Sequence, residues 1–227
     1  MRSMTFKLHF PQIAISLFLF ILILDNTGTY SVYAQSSSYN PLYDSLMLSG
    51  LIQLPEGTFD MKGTTIKLDD YTEIKGAGKD KTILKNVMFE CRNGLTLENL
   101  TIDGGNNVEV QMTALSPSIE NVAVILYPQN SSAQLIYKNV SFRNLSIASF
   151  IAGNGKVSYD SADHCDFSNI SKVAIYHSIN SDKSVYTYNT FSNIGNSGAK
   201  SGRISAIWIG DVTNNTYAES ANVIITN

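Results

Sequence analysis

The chain has 227 residues, 44% of them hydrophobic and only 15% charged, with a formal net charge of −3 at neutral pH. That is enough chain for one domain with a small appendage, and enough apolar content for a packed core. The slight negative balance gives nucleic acid or an acidic membrane surface no electrostatic attraction, so neither is expected as a partner.

The N-terminal stretch reads as a targeting segment. Arg2 and Lys7 precede an unbroken apolar run from Ile13 to Leu24, and a polar stretch then leads to Val32-Tyr33-Ala34 before Gln35. This is the pattern of a cleavable signal peptide over residues 1–34. A retained anchor is the competing reading, but the run falls short of the about 20 residues a membrane span needs. The protein is therefore expected to be secreted or held at the cell surface, with residues 35–48 as a polar lead-in and 49–227 as the folded domain.

From Gly50 onward, runs of three to five residues rich in Ile, Leu, Val and Thr alternate with Gly, Asn and Asp. They include Gly50-Leu-Ile-Gln-Leu54, Thr65-Ile-Lys-Leu68, Thr72-Glu-Ile-Lys75, Thr82-Ile-Leu84, Val87-Met-Phe-Glu90 and Leu95-Thr-Leu97. These are short strands between turns, and no stretch after residue 40 has a sustained helical period. Five segments close alike: Leu100-Thr-Ile-Asp-Gly104, Val140-Ser-Phe-Arg-Asn144, Cys165-Asp-Phe-Ser-Asn169, Asn189-Thr-Phe-Ser-Asn193 and Val223-Ile-Ile-Thr-Asn227, with Thr72-Glu-Ile-Lys-Gly76 as a fainter copy.

A strand-built repeat of this length predicts an all-β solenoid, a parallel β-helix of about five to six coils with strands on three walls. Alternation places Ile74, Ile102, Phe142, Phe167, Phe191 and Ile225 in one inward column, with Lys75, Asp103, Arg143, Ser168, Ser192 and Thr226 beside it facing out. Asn144, Asn169 and Asn193 then fall at one bend in successive coils. Asn tolerates left-handed backbone, so these are read as a structural ladder. The segments 105–120, 196–203 and 211–220 are inserted loops.

Export permits disulfides, but Cys91 and Cys165 are the only cysteines. They fall about two rungs apart, at roughly 10 Å for a strand spacing of about 4.8 Å. That is beyond the Cα separation of about 7 Å that a disulfide bridges, so two buried free thiols are expected. No zinc-type Cys/His spacing is present, and no metal site or cofactor is read from the chain.

The run Leu51-Ile-Gln-Leu-Pro-Glu-Gly-Thr-Phe59, followed by Ile66, Thr72-Glu-Ile-Lys-Gly-Ala-Gly78 and Thr82-Ile-Leu84, resembles the opening coils of pectate-lyase-like right-handed β-helix proteins. The later Asn-Thr-Phe-Ser-Asn units are similar to the generic right-handed β-helix repeat. The resemblance covers residues 49–227 and implies a right-handed parallel β-helix, with asparagine ladders of the kind that family carries. It does not fix an activity, since that superfamily holds lyases, glycosidases, phage tail proteins and non-enzymes.

Pectate lyases bind calcium through several Asp/Glu and use an Arg or Lys base, so the lyase alternative would bring calcium with it. Here Asp160, Asp163 and Asp166 form the densest acidic cluster, without the regular spacing of a dedicated calcium loop, and read as a solvated turn. Arg143 lies one rung from Asp103 and reads as a surface ion pair, while Lys172 and Arg203 sit in turns. Polygalacturonase-type signatures are absent, so no catalytic residue is assigned.

Aromatic residues offer a clearer lead. Val173-Ala-Ile-Tyr-His177 and Ser205-Ala-Ile-Trp-Ile209 are equivalent strands. If Ile175 and Ile207 point inward, Tyr176 and Trp208 stack outward and form a platform for sugar rings. His177, Asp211 and Asn180 are the polar groups beside it. The alternative is a loop folding over the pair to make a small satellite core. At Asn227 a repeat unit is followed by nothing, so either the chain continues or a partner covers the last coil. The expected function is an exported, non-catalytic module that binds polysaccharide or cell-surface glycan, or serves as surface structure. A polysaccharide lyase or glycosidase, or its N-terminal part, is the alternative, and an assembly module is a third reading.

Overall fold

The structure is a computed structural model that describes residues 23–24, 30–31, 50–104, 121–130, 132–153, 155–179, 181–195, 205–209 and 222–226. Among these residues there is no helix. From Gly50 onward every described strand pairing is parallel and joins strands one turn apart, giving a β-solenoid of about five turns. The pairings sort the strands into three walls.

The first wall stacks Gly50–Gln53, Thr72–Lys75, residues 95–98, 134–138 and 160–163, Lys183–Thr187 and Asn222–Thr226. Its inward row is Ile52, Ile74, Leu97, Tyr137, Ala162 and Tyr186. The second wall stacks residues 57–60, 82–85, 101–103, 140–143, 166–168 and 190–192. Its inward row is Phe59, Leu84, Ile102, Phe142, Phe167 and Phe191. The third wall stacks residues 64–68, 87–91, Val122–Leu126, 147–151, 173–177 and Ser205–Ile209. Ile66, Phe89, Val124, Ser149, Ile175 and Ile207 form its matching row.

Alternation explains which side chains enter the core. In Thr72–Lys75 the residues are in turn buried and half-buried, and Ala133–Ile151 starts in the same rhythm. Like residues then lie over one another at the strand spacing. Phe142, Phe167 and Phe191 stack with ring centroids 5.3 and 4.9 Å apart and planes within 7° of parallel. That spacing follows from the roughly 4.8 Å between neighbouring strands.

Single left-handed residues turn the chain from wall to wall. Between the second and third walls these are Asn86, Asn144, Asn169 and Asn193, with φ of 53° to 59°. Asn193 donates to the Asn169 side-chain oxygen at 2.5 Å, Asn169 to Asn144 at 3.2 Å, and Asn144 to Asp103 at 2.7 Å. The predicted ladder is therefore present. A second corner, between the first and second walls, runs Gly76, Asn99, Asn139, His164 and Tyr188, of which the last four have φ of 53° to 55°. At Gly76 a Cβ would collide with the Asn99 carbonyl, so glycine alone fits there. This second corner was not distinguished in the sequence.

That finding corrects the predicted single column. Ile102, Phe142, Phe167 and Phe191 do share the second wall. Ile74, however, is registered with Leu97, and Ile225 with Tyr186, both in the first wall. Lys75 likewise pairs across the rung with Glu98 at 2.7 Å, whereas Arg143 meets Asp103 at 3.0 Å on the second wall as expected. Two corners carry the same apolar-x-Gly/Asn signature, so the signature marks a corner without saying which.

Tyr30–Ser31 pairs in parallel with Ile52–Gln53 and antiparallel with Ile23–Leu24. The rest of the stretch read as signal peptide and lead-in lies outside the described residues, as do the three loop segments and Asn227.

Cys91 and Cys165 are free and buried, as anticipated. Burial pushes the Cys165 thiol up to about 12 and Cys91 higher still, so neither forms thiolate at neutral pH. Both should resist a thiol reagent in the native protein and react fully after denaturation; fast labelling of either without unfolding would contradict this burial. Phe167, fully buried between two rings, should lose about 3–5 kcal/mol on change to Ala, read from the urea midpoint.

Candidate functional site

The outer face of the third wall was the sequence-predicted platform. Tyr176 and Trp208 are register partners, with Phe150 on the rung before. Alternation thus gives their side correctly. Their surroundings are those of a core rather than of an open platform. Tyr176 is 4% exposed and stacks on Phe150 at 5.0 Å. With Met88, Val122, Ile125, Ile147, Ala152 and Val173 these two rings form a second hydrophobic cluster, against which Tyr127 and Trp208 pack half-buried. This is a satellite core built largely from outward side chains of the third wall itself, and Tyr176 presents no open face to a sugar. Periodicity fixes the direction of a side chain and not what lies over it.

His177 does not sit beside that pair. It shares the parity of Ile175, and its side chain enters the solenoid, 1% exposed. There it meets Asp160, Ser184 and Tyr186 from the first wall. Tyr186 donates its hydroxyl hydrogen to Asp160 Oδ2, and Ser184 donates to Asp160 Oδ1 at 2.7 Å. His177 Nε2 lies 3.0 Å from the Tyr186 oxygen and 3.5 Å from Asp160 Oδ2. Since Tyr186 has given its only hydrogen to Asp160, Nε2–H must be the donor to Tyr186. Nδ1 then carries a lone pair, and among the described residues it has no hydrogen-bond partner.

The imidazole is therefore held neutral by geometry. Protonation would place an N–H donor at Nδ1 with nothing to receive it, a costly arrangement in a core. Burial lowers the His177 pKa, opposed by the nearby Asp160 charge. Burial also raises Tyr186, helped by Asp160. A second buried pair, Tyr137 and Ser149 at 2.9 Å, occupies the preceding turn. This network joins first and third walls across the interior. The sequence held one signal for it: if Ile175 points in, so does His177 two residues later.

The acidic cluster does not converge. Asp160 faces inward. Asp163 accepts from Thr187 Oγ1 at 2.5 Å, which with His164 lowers its pKa. Asp166 pairs with Lys79 at 2.6 Å. Among the described residues no three His, Cys, Asp or Glu side chains are grouped to hold a metal ion. Asp211 and Asn180 lie outside the described residues.

The fold and these side chains define a parallel β-solenoid with a polar network in its interior. In comparisons with known proteins, no family model, curated protein or solved structure matches the chain.

The neutral, buried His177 makes stability depend on pH. The unfolded chain takes up a proton there below about 6.5, whereas the folded chain resists it. The contribution is complete above that value and is lost as the pH falls from there toward the lower folded-state pKa. Denaturation midpoints should therefore fall between pH 7 and 5, and His177→Phe should flatten that slope. An unchanged slope in the variant would show that His177 is not the group responsible.

Proposed function

We propose that this chain is an exported, non-catalytic β-helix of the right-handed, pectate-lyase-like kind, which serves as a surface-structural module and binds polysaccharide on its outward walls. One observation carries the reading: the division of side chains between inside and outside. Asp160, His177 and Tyr186, three groups capable of proton transfer and linked in one network, are buried where no polymer reaches. The outer faces instead carry side chains tied rung to rung, including Lys75–Glu98, Asp103–Arg143 and the asparagine ladder. Among the exposed residues are two large aromatic side chains, Tyr71 and Tyr188. A rigid surface with fixed polar groups and exposed rings suits a sugar polymer, whose hydroxyls need oriented partners and whose C–H faces need aromatic ones.

Affinity electrophoresis through gels containing neutral or acidic polysaccharides tests this. Retardation is expected, with no turnover by reducing-end or unsaturated-product assays with or without calcium. Turnover would establish the lyase or glycosidase alternative, and absence of retardation across the panel would remove the carbohydrate reading.

A further inference from the structure

The corner between the first and second walls carries a feature that the stacking does not require. Successive turns place Gly76, Asn99, Asn139, His164 and Tyr188 there. Asn suits a left-handed corner, and Asn139 donates to Asn99 at 2.7 Å in a short ladder. The two later turns abandon asparagine. His164 and Tyr188 both hold φ of 53°; histidine is among the residues that visit this region, but for a bulky residue such as Tyr188 it is a genuine outlier. Backbone outliers of this kind concentrate at functional sites.

Neither ring is used in the core. Tyr188 is 60% exposed, the more exposed of the two large aromatics on the described surface. It lies against the His164 ring with centroids 4.9 Å apart and planes at 33°. The pair is fixed from beneath. His164 N donates to the Thr187 carbonyl at 3.0 Å, and its own carbonyl accepts from Lys79 Nζ at 3.0 Å. The Asn189 side chain bridges Cys165 N and the Ala162 carbonyl, each at 2.8 Å. His164 Nδ1 sits 3.0 Å from Asp163 Oδ2. Two half-exposed carboxylates lie at this corner: Asp163 beside the His164 ring, and Asp166 on Lys79, whose Nζ also holds the His164 carbonyl.

We propose that this corner is a sugar-stacking subsite for a neutral polysaccharide. A pyranose ring lays its C–H face on Tyr188, and Asp163 and Asp166 accept its hydroxyls. Pre-fixed rings and carboxylates bind with little ordering cost. Asp166 is matched by Lys79 and Asp163 by Lys138 one rung away, so the corner carries no excess positive charge to draw a uronic acid, which makes the ligand class neutral. This rests on the carbohydrate-binding reading above and places its site at this corner instead of the third wall.

The test uses the full chain, Tyr188→Ala and Tyr188→Asn in gels containing hydroxyethyl cellulose, glucomannan, xylan or polygalacturonate. Asn restores the residue type that the corner accommodates in earlier turns, so that variant should fold with an equal or higher melting temperature. The parent protein should be retarded by at least one neutral polymer and not by polygalacturonate. Both variants should bind at least tenfold more weakly. A retarded parent with an equally retarded Tyr188→Asn variant overturns the corner while leaving the general reading standing. A parent that no polymer retards overturns that reading itself. Retardation by polygalacturonate alone overturns the neutral ligand class.

Discussion

A parallel solenoid can stack only if each turn returns the chain to a point directly above the place it left. Here that closure is set by single left-handed residues. Ala133–Ile151 is one continuous strand that passes through all three walls, bending at Asn139 and Asn144. A one-residue corner leaves no slack, so the perimeter of a turn is fixed and the next turn finds its register. The aromatic row of the second wall, the ion pairs and the amide ladder all follow from that repetition. Where the chain departs between the second and third walls, at Gly104 and Gly195, it rejoins the stack at Asn121 and Ser205 and the register resumes. Insertions are tolerated because they leave the stacked part of the perimeter unchanged.

The interior is not uniform. Along the second wall it is filled by stacked rings and aliphatic side chains. Between the first and third walls it includes Tyr137 with Ser149, then Asp160, His177, Ser184 and Tyr186. Such a network is directional where apolar packing is not, and each partner's position is dictated by the others. It fixes how the first and third walls face each other, a distance that stacking within either wall does not set. The unpartnered Nδ1 of His177 is tolerable because a bare acceptor costs less than a bare charged donor would.

Much of the fold was legible from the residues. The strands, the second-wall row, the ladder through Asn144, Asn169 and Asn193, the Asp103–Arg143 pair and the buried thiols all follow from alternation and turn chemistry. The wall assignment of Ile74 and Ile225 was not legible, because two different corners use the same local signature. The corner at His164 and Tyr188 was hidden for the opposite reason: histidine signals a left-handed turn far less strongly than asparagine, and tyrosine does not signal one. Tyr176 and Trp208 were placed on the correct side of their wall, yet the burial of Tyr176 depends on what packs over it, which no periodicity encodes. His177 could have been placed inside by applying to it the parity already granted to Ile175.

The parallel pairings also determine how the molecule carries load. The inter-turn hydrogen bonds point along the long axis, so tension applied evenly along that axis is shared by all three walls of a rung at once. Tension applied to one chain end meets the same bonds in sequence, and the terminal turn peels away strand by strand. The solenoid is thus a stiff spacer between two broad attachments and a yielding one when pulled by a single thread.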